Sequence, residues 1–132
     1  MEHKTLPEYI PTVIFDFDGV IHGYTGSWQG PTKCPGSPVP HIRDAIRMIR
    51  QNGYNVIVVS SRCYVEGGIE AIRRYLDLHH IEVDDITGEK PPAVVQIDDR
   101  AICFDGDALS LPEKIDDFLP WYHRKKEENQ NG

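Results

Sequence analysis

Long apolar runs are missing from this sequence. No stretch of the 132 residues approaches the roughly 20 consecutive apolar residues of a membrane-spanning helix. The first twelve residues hold no apolar run of the signal-peptide kind. A cytoplasmic chain with no membrane partner is therefore expected. Cysteine is scarce: Cys34, Cys63 and Cys103 are odd in number, widely spaced and without a C-x-x-C pair. That excludes a disulfide framework or a zinc site of the usual spacing, and fits a reducing compartment. Positive charge is also in deficit, 14 Lys and Arg against 21 Asp and Glu, for a net charge of −7. Such a chain does not grip a phosphate backbone non-specifically, although a bound cation could neutralise acid locally. Two catalytic signatures are absent. There is no G-x-x-x-x-G-K-[ST], so a P-loop kinase is unsupported. Cysteine-dependent phosphatases need Arg six positions after the Cys, and those positions hold Pro40, Ile69 and Leu109. No internal repeat and no low-complexity block interrupts the domain.

What is present suits one domain over residues 1–123, followed by a charged, amide-rich tail over 124–132 that is expected to be disordered. Val13-Ile14-Phe15 reads as a buried strand running into a turn at Asp16, Asp18 and Gly19. Residues 23–40 are rich in Gly and Pro and should be irregular. From Pro40 or His41 a helix follows, with Ile42, Ala45, Ile46 and Ile49 on one face and Arg43, Arg47 and Arg50 off it, ended by Asn52-Gly53. Val56-Ile57-Val58-Val59 is a second buried strand, ending in Ser60-Ser61-Arg62. A second helix is expected from about Glu66, with Ile69, Ile72 and Leu76 inward. Residues 93–97 make a third buried strand ending in Asp98-Asp99, and 101–104 a short fourth. Ser110 is expected to cap a last helix with Pro112 in its first turn. Apolar strands alternating with amphipathic helices predict an α/β fold, a parallel sheet with helices on both faces.

In such sheets ligands bind beyond the carboxyl ends of the strands. Three of these strands end there in polar groups: Asp16 and Asp18, Ser60, then Asp98 and Asp99. Asp16 and Asp18 sit at i and i+2, so both carboxylates leave the strand on one side while Phe17 turns into the core. Close carboxylates repel and call for a hard cation such as Mg²⁺. The bland alternative is that the two acids only cap a loop. A phosphate arriving among carboxylates needs counter-charge, which Lys90, just before the third strand, could supply; most such lysines are simply solvated. Ser60 could donate to a phosphate oxygen or merely cap a turn. Arg62 could contact a substrate phosphate, and a surface role is equally open. His79-His80 reads as a surface pair. Trp28 could close over a substrate or pack its loop down.

These residues resemble, in order, the four motifs of haloacid dehalogenase superfamily phosphatases. Asp16-Phe17-Asp18-Gly19-Val20 matches D-x-D-G-[TV] in full, and residues 56–60 match the apolar strand ending in Ser or Thr. Lys90 stands for the lysine ahead of the last strand, and Val94-Val95-Gln96-Ile97-Asp98-Asp99 for the final motif in its D-D form. The likeness spans about residues 12–105, and more closely the chain is similar to small uncapped hydrolases of bacteria and phages. The resemblance implies a three-layer Rossmann-like core and a Mg²⁺-dependent phosphomonoester hydrolase. It implies that Asp16 is the nucleophile, forming an aspartyl-phosphate, and that Asp18 is the acid and base. It implies that Asp16, the Asp18 carbonyl and one acid of the last motif hold Mg²⁺, with Asp99 favoured as direct ligand and Asp98 as its neighbour. Ser60 and Lys90 then hold phosphate oxygens, and Lys90 also steadies Asp16.

Between Asp18 and Ser60 only residues 23–40 lie outside a core helix, too short for a separate cap domain. The site is therefore expected to be open, closed at most by the Trp28 loop or by a neighbouring subunit in an oligomer. A small phosphate ester, nucleotides included, is the expected substrate. The alternatives are a 3′-phosphorylated nucleic-acid end, a phosphotransferase passing the phosphoryl group to an acceptor other than water, and an idle binding protein that kept the fold.

Overall fold

The computed structural model describes residues 10–24 and 27–124. The described residues fall into two compact units divided after Ile97, within the span read from sequence as one domain; the tail expected over 124–132 lies, after Arg124, outside the described residues.

The first unit is a parallel sheet. Strand β1 (Thr12–Asp16) leads into helix α1 (Ile42–Gln51), then β2 (Asn55–Val59), a single 3₁₀ turn over Ser61–Tyr64, helix α2 (Gly68–Leu78), β3 (Asp85–Thr87) and β4 (Val95–Ile97). The sheet order is β3-β2-β1-β4, with every neighbouring pair parallel. Parallel neighbours cannot be joined by tight hairpins, and α1 and α2 supply the crossovers between β1 and β2 and between β2 and β3. Strand order runs outward from β1 to β3 and then reverses, so the switch point lies between β1 and β4. That is where ligands of doubly wound sheets bind.

The core is built on Val13 and Phe15 of β1 with Val56 and Val58 of β2, the alternate residues that share one sheet face. Both helices feed this cluster, α1 through Ile46 and α2 through Ile72, Tyr75 and Leu76, with Ile42, Ile49 and Ile69 packed against it. Helices were expected on both faces; the two of the first unit join this one cluster. Helix α1 begins and ends close to where its apolar face and Asn52-Gly53 predict, Asn52 being its C-cap and Gly53 taking φ 97°. Helix α2 starts at Gly68, close to the expected start near Glu66, after a 3₁₀ turn over Ser61–Tyr64.

Three expectations need correction. Strand β3 was not foreseen: with Ile86 its one buried residue, it carries no periodic signal. The strand expected over 93–97 is shorter, β4, and is not buried: it lies at the edge of the sheet, Val95 49% and Ile97 38% exposed. Residues 101–104 form no strand.

The second unit holds a 3₁₀ turn over Ala108–Ser110, helix α3 (Leu111–Asp116) and a last 3₁₀ turn over Trp121–His123. Pro112 stands in the first turn of α3 as expected, where its missing N–H costs no hydrogen bond. Ser110 occupies the cap position without capping, and its hydroxyl donates to the Asp107 carbonyl instead (2.8 Å). Among the described residues no helix is long and apolar enough to cross a membrane.

Candidate functional site

Asp16 is the last residue of β1, in register with Val59 of β2, so the residues that follow, Phe17 and Ser60, leave the sheet side by side at its carboxyl end. Phe17 is fully buried, as the i, i+2 argument requires, and Asp16 and Asp18 flank it. The chain then turns sharply. Gly19 takes φ 86°, a conformation that costs a glycine nothing, and the Ile21 and His22 amides both donate to the Phe17 carbonyl at 2.9 Å. This turn brings His22 back against Asp18.

The Asp18 carboxylate accepts three side-chain hydrogen bonds. Its Oδ2 accepts from Arg62 Nε at 2.8 Å, and its Oδ1 accepts from Arg62 Nη2 and His22 Nδ1, each at 2.8 Å. The Gly36 amide donates to His22 Nε2 at 2.8 Å. Nε2 therefore carries no proton, and the Nδ1–H is the one presented to Asp18. Gly36 is held in turn by the Tyr75 hydroxyl, which donates to its carbonyl at 2.8 Å. Burial pushes the Tyr75 hydroxyl well above its usual pKa, so it serves as a neutral donor. Burial alone would raise the Asp18 carboxyl as well, but the hydrogen bonds from His22 and Arg62 outweigh it and hold Asp18 below the ordinary carboxylate range.

Arg62 is 2% exposed, which overturns a surface role. Besides the fork with Asp18, its Nη1 donates to the main-chain carbonyls of Pro31 (2.8 Å) and Lys33 (3.0 Å). Its guanidinium lies between two rings, 4.5 Å from the Trp28 centroid and 5.4 Å from that of Phe17. Trp28 thus packs on Arg62 while remaining 57% exposed. Arg62 thus ties the Gly- and Pro-rich segment, irregular as its composition predicts, to the end of the sheet, as His22 and Tyr75 do through Gly36.

Ser60 is buried directly after β2; its amide donates to the Thr87 carbonyl (3.1 Å) and its Oγ accepts from the Arg62 amide (3.1 Å). That second bond orients the start of the turn that sends Arg62 inward. Lys90 stands exposed on the segment after β3, past the carboxyl end of that strand. In the second unit, Asp98 accepts from the Arg100 amide (2.9 Å) and the buried Asp99 accepts from the Tyr122 hydroxyl (2.6 Å). Asp98 directly follows β4, whose Ile97 is in register with Phe15 of β1.

The sequence missed His22, Gly36 and Tyr75. The only trace of the first is its place four residues after Asp18, and nothing in spacing or periodicity links the other two to the site.

No family model matches the chain, and no curated protein matches it. Among solved structures it is similar to a conserved protein coded by a locus of Bacteroides thetaiotaomicron. The TM-score is 0.56 at 19% sequence identity, covering 86% of this chain and 98% of that one. At that identity the likeness shows the shared α/β fold and nothing about chemistry.

Proposed function

We propose that this chain is a cytoplasmic Mg²⁺-dependent phosphomonoester hydrolase of the haloacid dehalogenase type, working through an aspartyl-phosphate on Asp16. The observation that carries the reading is the position of Asp16: the last residue of β1, at the switch point of a parallel sheet, with Asp18 two residues on and, in register beside it, Val59, which Ser60 follows. In this reading an Asp16 oxygen attacks phosphorus as the bond to the leaving oxygen breaks, and Asp18, entering the step protonated against the bias of its Arg62 and His22 bonds, supplies that oxygen's proton. Water then attacks the same phosphorus and gives a proton to Asp18. The bond to Asp16 breaks, its electron pair returns to the carboxylate, and inorganic phosphate departs. Ser60 donates to a phosphate oxygen, and Lys90 supplies positive charge from beyond β3.

The donors assigned to a metal in this reading are all oxygens, the set that suits Mg²⁺: the Asp16 carboxylate, the Asp18 main-chain carbonyl and Asp99, with Asp98 as its neighbour. When bound, Mg²⁺ would screen the carboxylate from the phosphate charge. The net charge of −7 favours small phosphate esters, nucleotides included, over long nucleic acid.

The test is phosphate release from sugar phosphates, nucleotides and 3′-phosphorylated oligonucleotides, with Mg²⁺ and with EDTA. Release should need Mg²⁺ and vanish in Asp16→Asn with the fold retained. Turnover in Asp16→Asn near that of the native chain would remove Asp16 as nucleophile, and a strong, salt-sensitive preference for the oligonucleotide would reverse the substrate order.

A further inference from the structure

We propose that Arg62 is a positioning residue which acts through Asp18, holding that carboxylate in place from the side away from substrate, and does not itself bind phosphate. The proposal rests on the hydrolase reading and deepens it.

Five donor positions belong to a guanidinium, and four of them are directed at protein acceptors. Nε and Nη2 are both directed at Asp18, one to each oxygen at 2.8 Å, and Nη1 is directed at the carbonyls of Pro31 and Lys33. With Phe17 and Trp28 over its faces and 2% exposure, Arg62 has no open side on which to meet a phosphate. A planar two-point contact fixes a carboxylate's direction as well as its distance, which a lysine cannot do. His22 completes the hold from a second direction, its Nδ1–H on Oδ1 and its ring fixed by the Gly36 amide and stacked on Phe17 at 5.4 Å. Arg62 gives one bond to each oxygen and His22 a second to Oδ1, so Asp18 Oδ2 accepts a single bond among the described residues and keeps acceptor capacity for a reacting proton. A group that transfers protons must be held to within a fraction of an ångström, since a misplacement of about 1 Å can cost on the order of 10²-fold in rate. The same side chain ties down Pro31 and Lys33, so placement of the acid is coupled to placement of that stretch of the Gly- and Pro-rich segment.

Steady-state kinetics on Arg62→Lys, Asp18→Asn and the double variant test this, using whichever phosphate ester the native chain hydrolyses best. Arg62→Lys keeps the charge and loses the fork. Its kcat should fall by about 10²-fold while KM stays close to the native value. The double variant should be no slower than Asp18→Asn alone, to within about twofold, because a residue acting only through Asp18 has nothing left to position. His22→Asn, which leaves the Arg62 contacts intact, should also lower kcat without raising KM; thermal melts on every variant keep loss of fold apart from loss of rate, and His22→Asn carries the test if Arg62→Lys does not fold. A rise in KM with kcat preserved would make Arg62 a substrate contact, and losses that multiply in the double variant would leave it a purely structural residue; either overturns the proposal while leaving the hydrolase reading in place. No phosphate release from any ester by the native chain overturns both.

Discussion

Asp18 and Arg62, 44 positions apart in the chain, meet in a two-point fork with both N–H···O distances at 2.8 Å. One partner comes from the turn after β1 and the other from the 3₁₀ turn after β2. The fork therefore joins the carboxyl ends of two neighbouring strands, and through Pro31 and Lys33 it also holds the long segment that follows the first turn.

Removing one partner of a buried ion pair leaves the other charged and poorly solvated, at a typical cost of about 3–5 kcal/mol. Arg62→Met, which keeps most of the volume and none of the donors, should therefore lower unfolding free energy by about that amount. Urea denaturation of the variant and the native chain measures it. A loss of less than about 1 kcal/mol would mean that the fork holds little of the fold together.

Gly36 is confined by close backbone. A Cβ placed there would lie 1.9 Å from the Gly23 carbonyl oxygen and 3.1 Å from His22 Nε2. Gly36→Ala must push these segments apart, and crowding of this kind costs roughly 1–3 kcal/mol. Because the Gly36 amide also fixes the His22 ring, activity should fall along with the melting temperature. A variant with native activity and melting temperature would show that the segment has slack which the contacts do not suggest.

Arg50, from the last turn of α1, forms a second fork with Asp84 (Nη2 to Oδ1 2.9 Å, Nε to Oδ2 3.2 Å), and the Val56 amide donates to the same carboxylate at 2.8 Å. The Arg50 hydrogen bonds hold Asp84 below its ordinary value of 3.8. A depressed carboxylate contributes stability that is complete above the unfolded-state value and is lost as pH falls through the lower, folded-state one. Stability should therefore decline on acidification below about pH 4, and Asp84→Asn should flatten part of that decline. Urea midpoints at neutral and acid pH test this; equal declines in the two proteins would remove Asp84 from the effect.

Asp99→Ala should weaken Mg²⁺ binding more than Asp98→Ala, because Asp99 is proposed as the direct ligand. Calcium should inhibit, since its larger and looser shell misplaces a nucleophile that also ligates the metal. Titration of Mg²⁺ dependence in both variants decides the assignment, and a larger shift for Asp98→Ala reverses it.

Much of the frame could be read without coordinates. Ile42, Ile46 and Ile49 marked the inner face of α1, and four consecutive apolar residues marked β2, because both patterns follow from how side chains repeat along regular backbone. Strand β3 escaped because three residues with one buried side chain leave no period to detect. Strand β4 was expected to be buried because Val94, Val95 and Ile97 are apolar, but hydropathy does not say whether a strand has neighbours on both sides. At the site, Asp16, Asp18 and Ser60 were recognisable from their place after apolar runs. For Arg62 the sequence is equally consistent with substrate contact and with the surface, since it shows a charge without its partner.

The sequence by itself determined that one strand ends at Asp16 and that another is followed by Ser60, that Phe17 divides two acids, and that the segment after them is irregular. These follow from local rules of periodicity and turn chemistry, which act over a few residues. Only the tertiary structure decided that β1 lies between β2 and β4, and that His22, Gly36, Tyr75 and Arg62 converge around one carboxylate. Hydrogen bonds between residues far apart in the chain depend on the three-dimensional path between them, and no local pattern records that path.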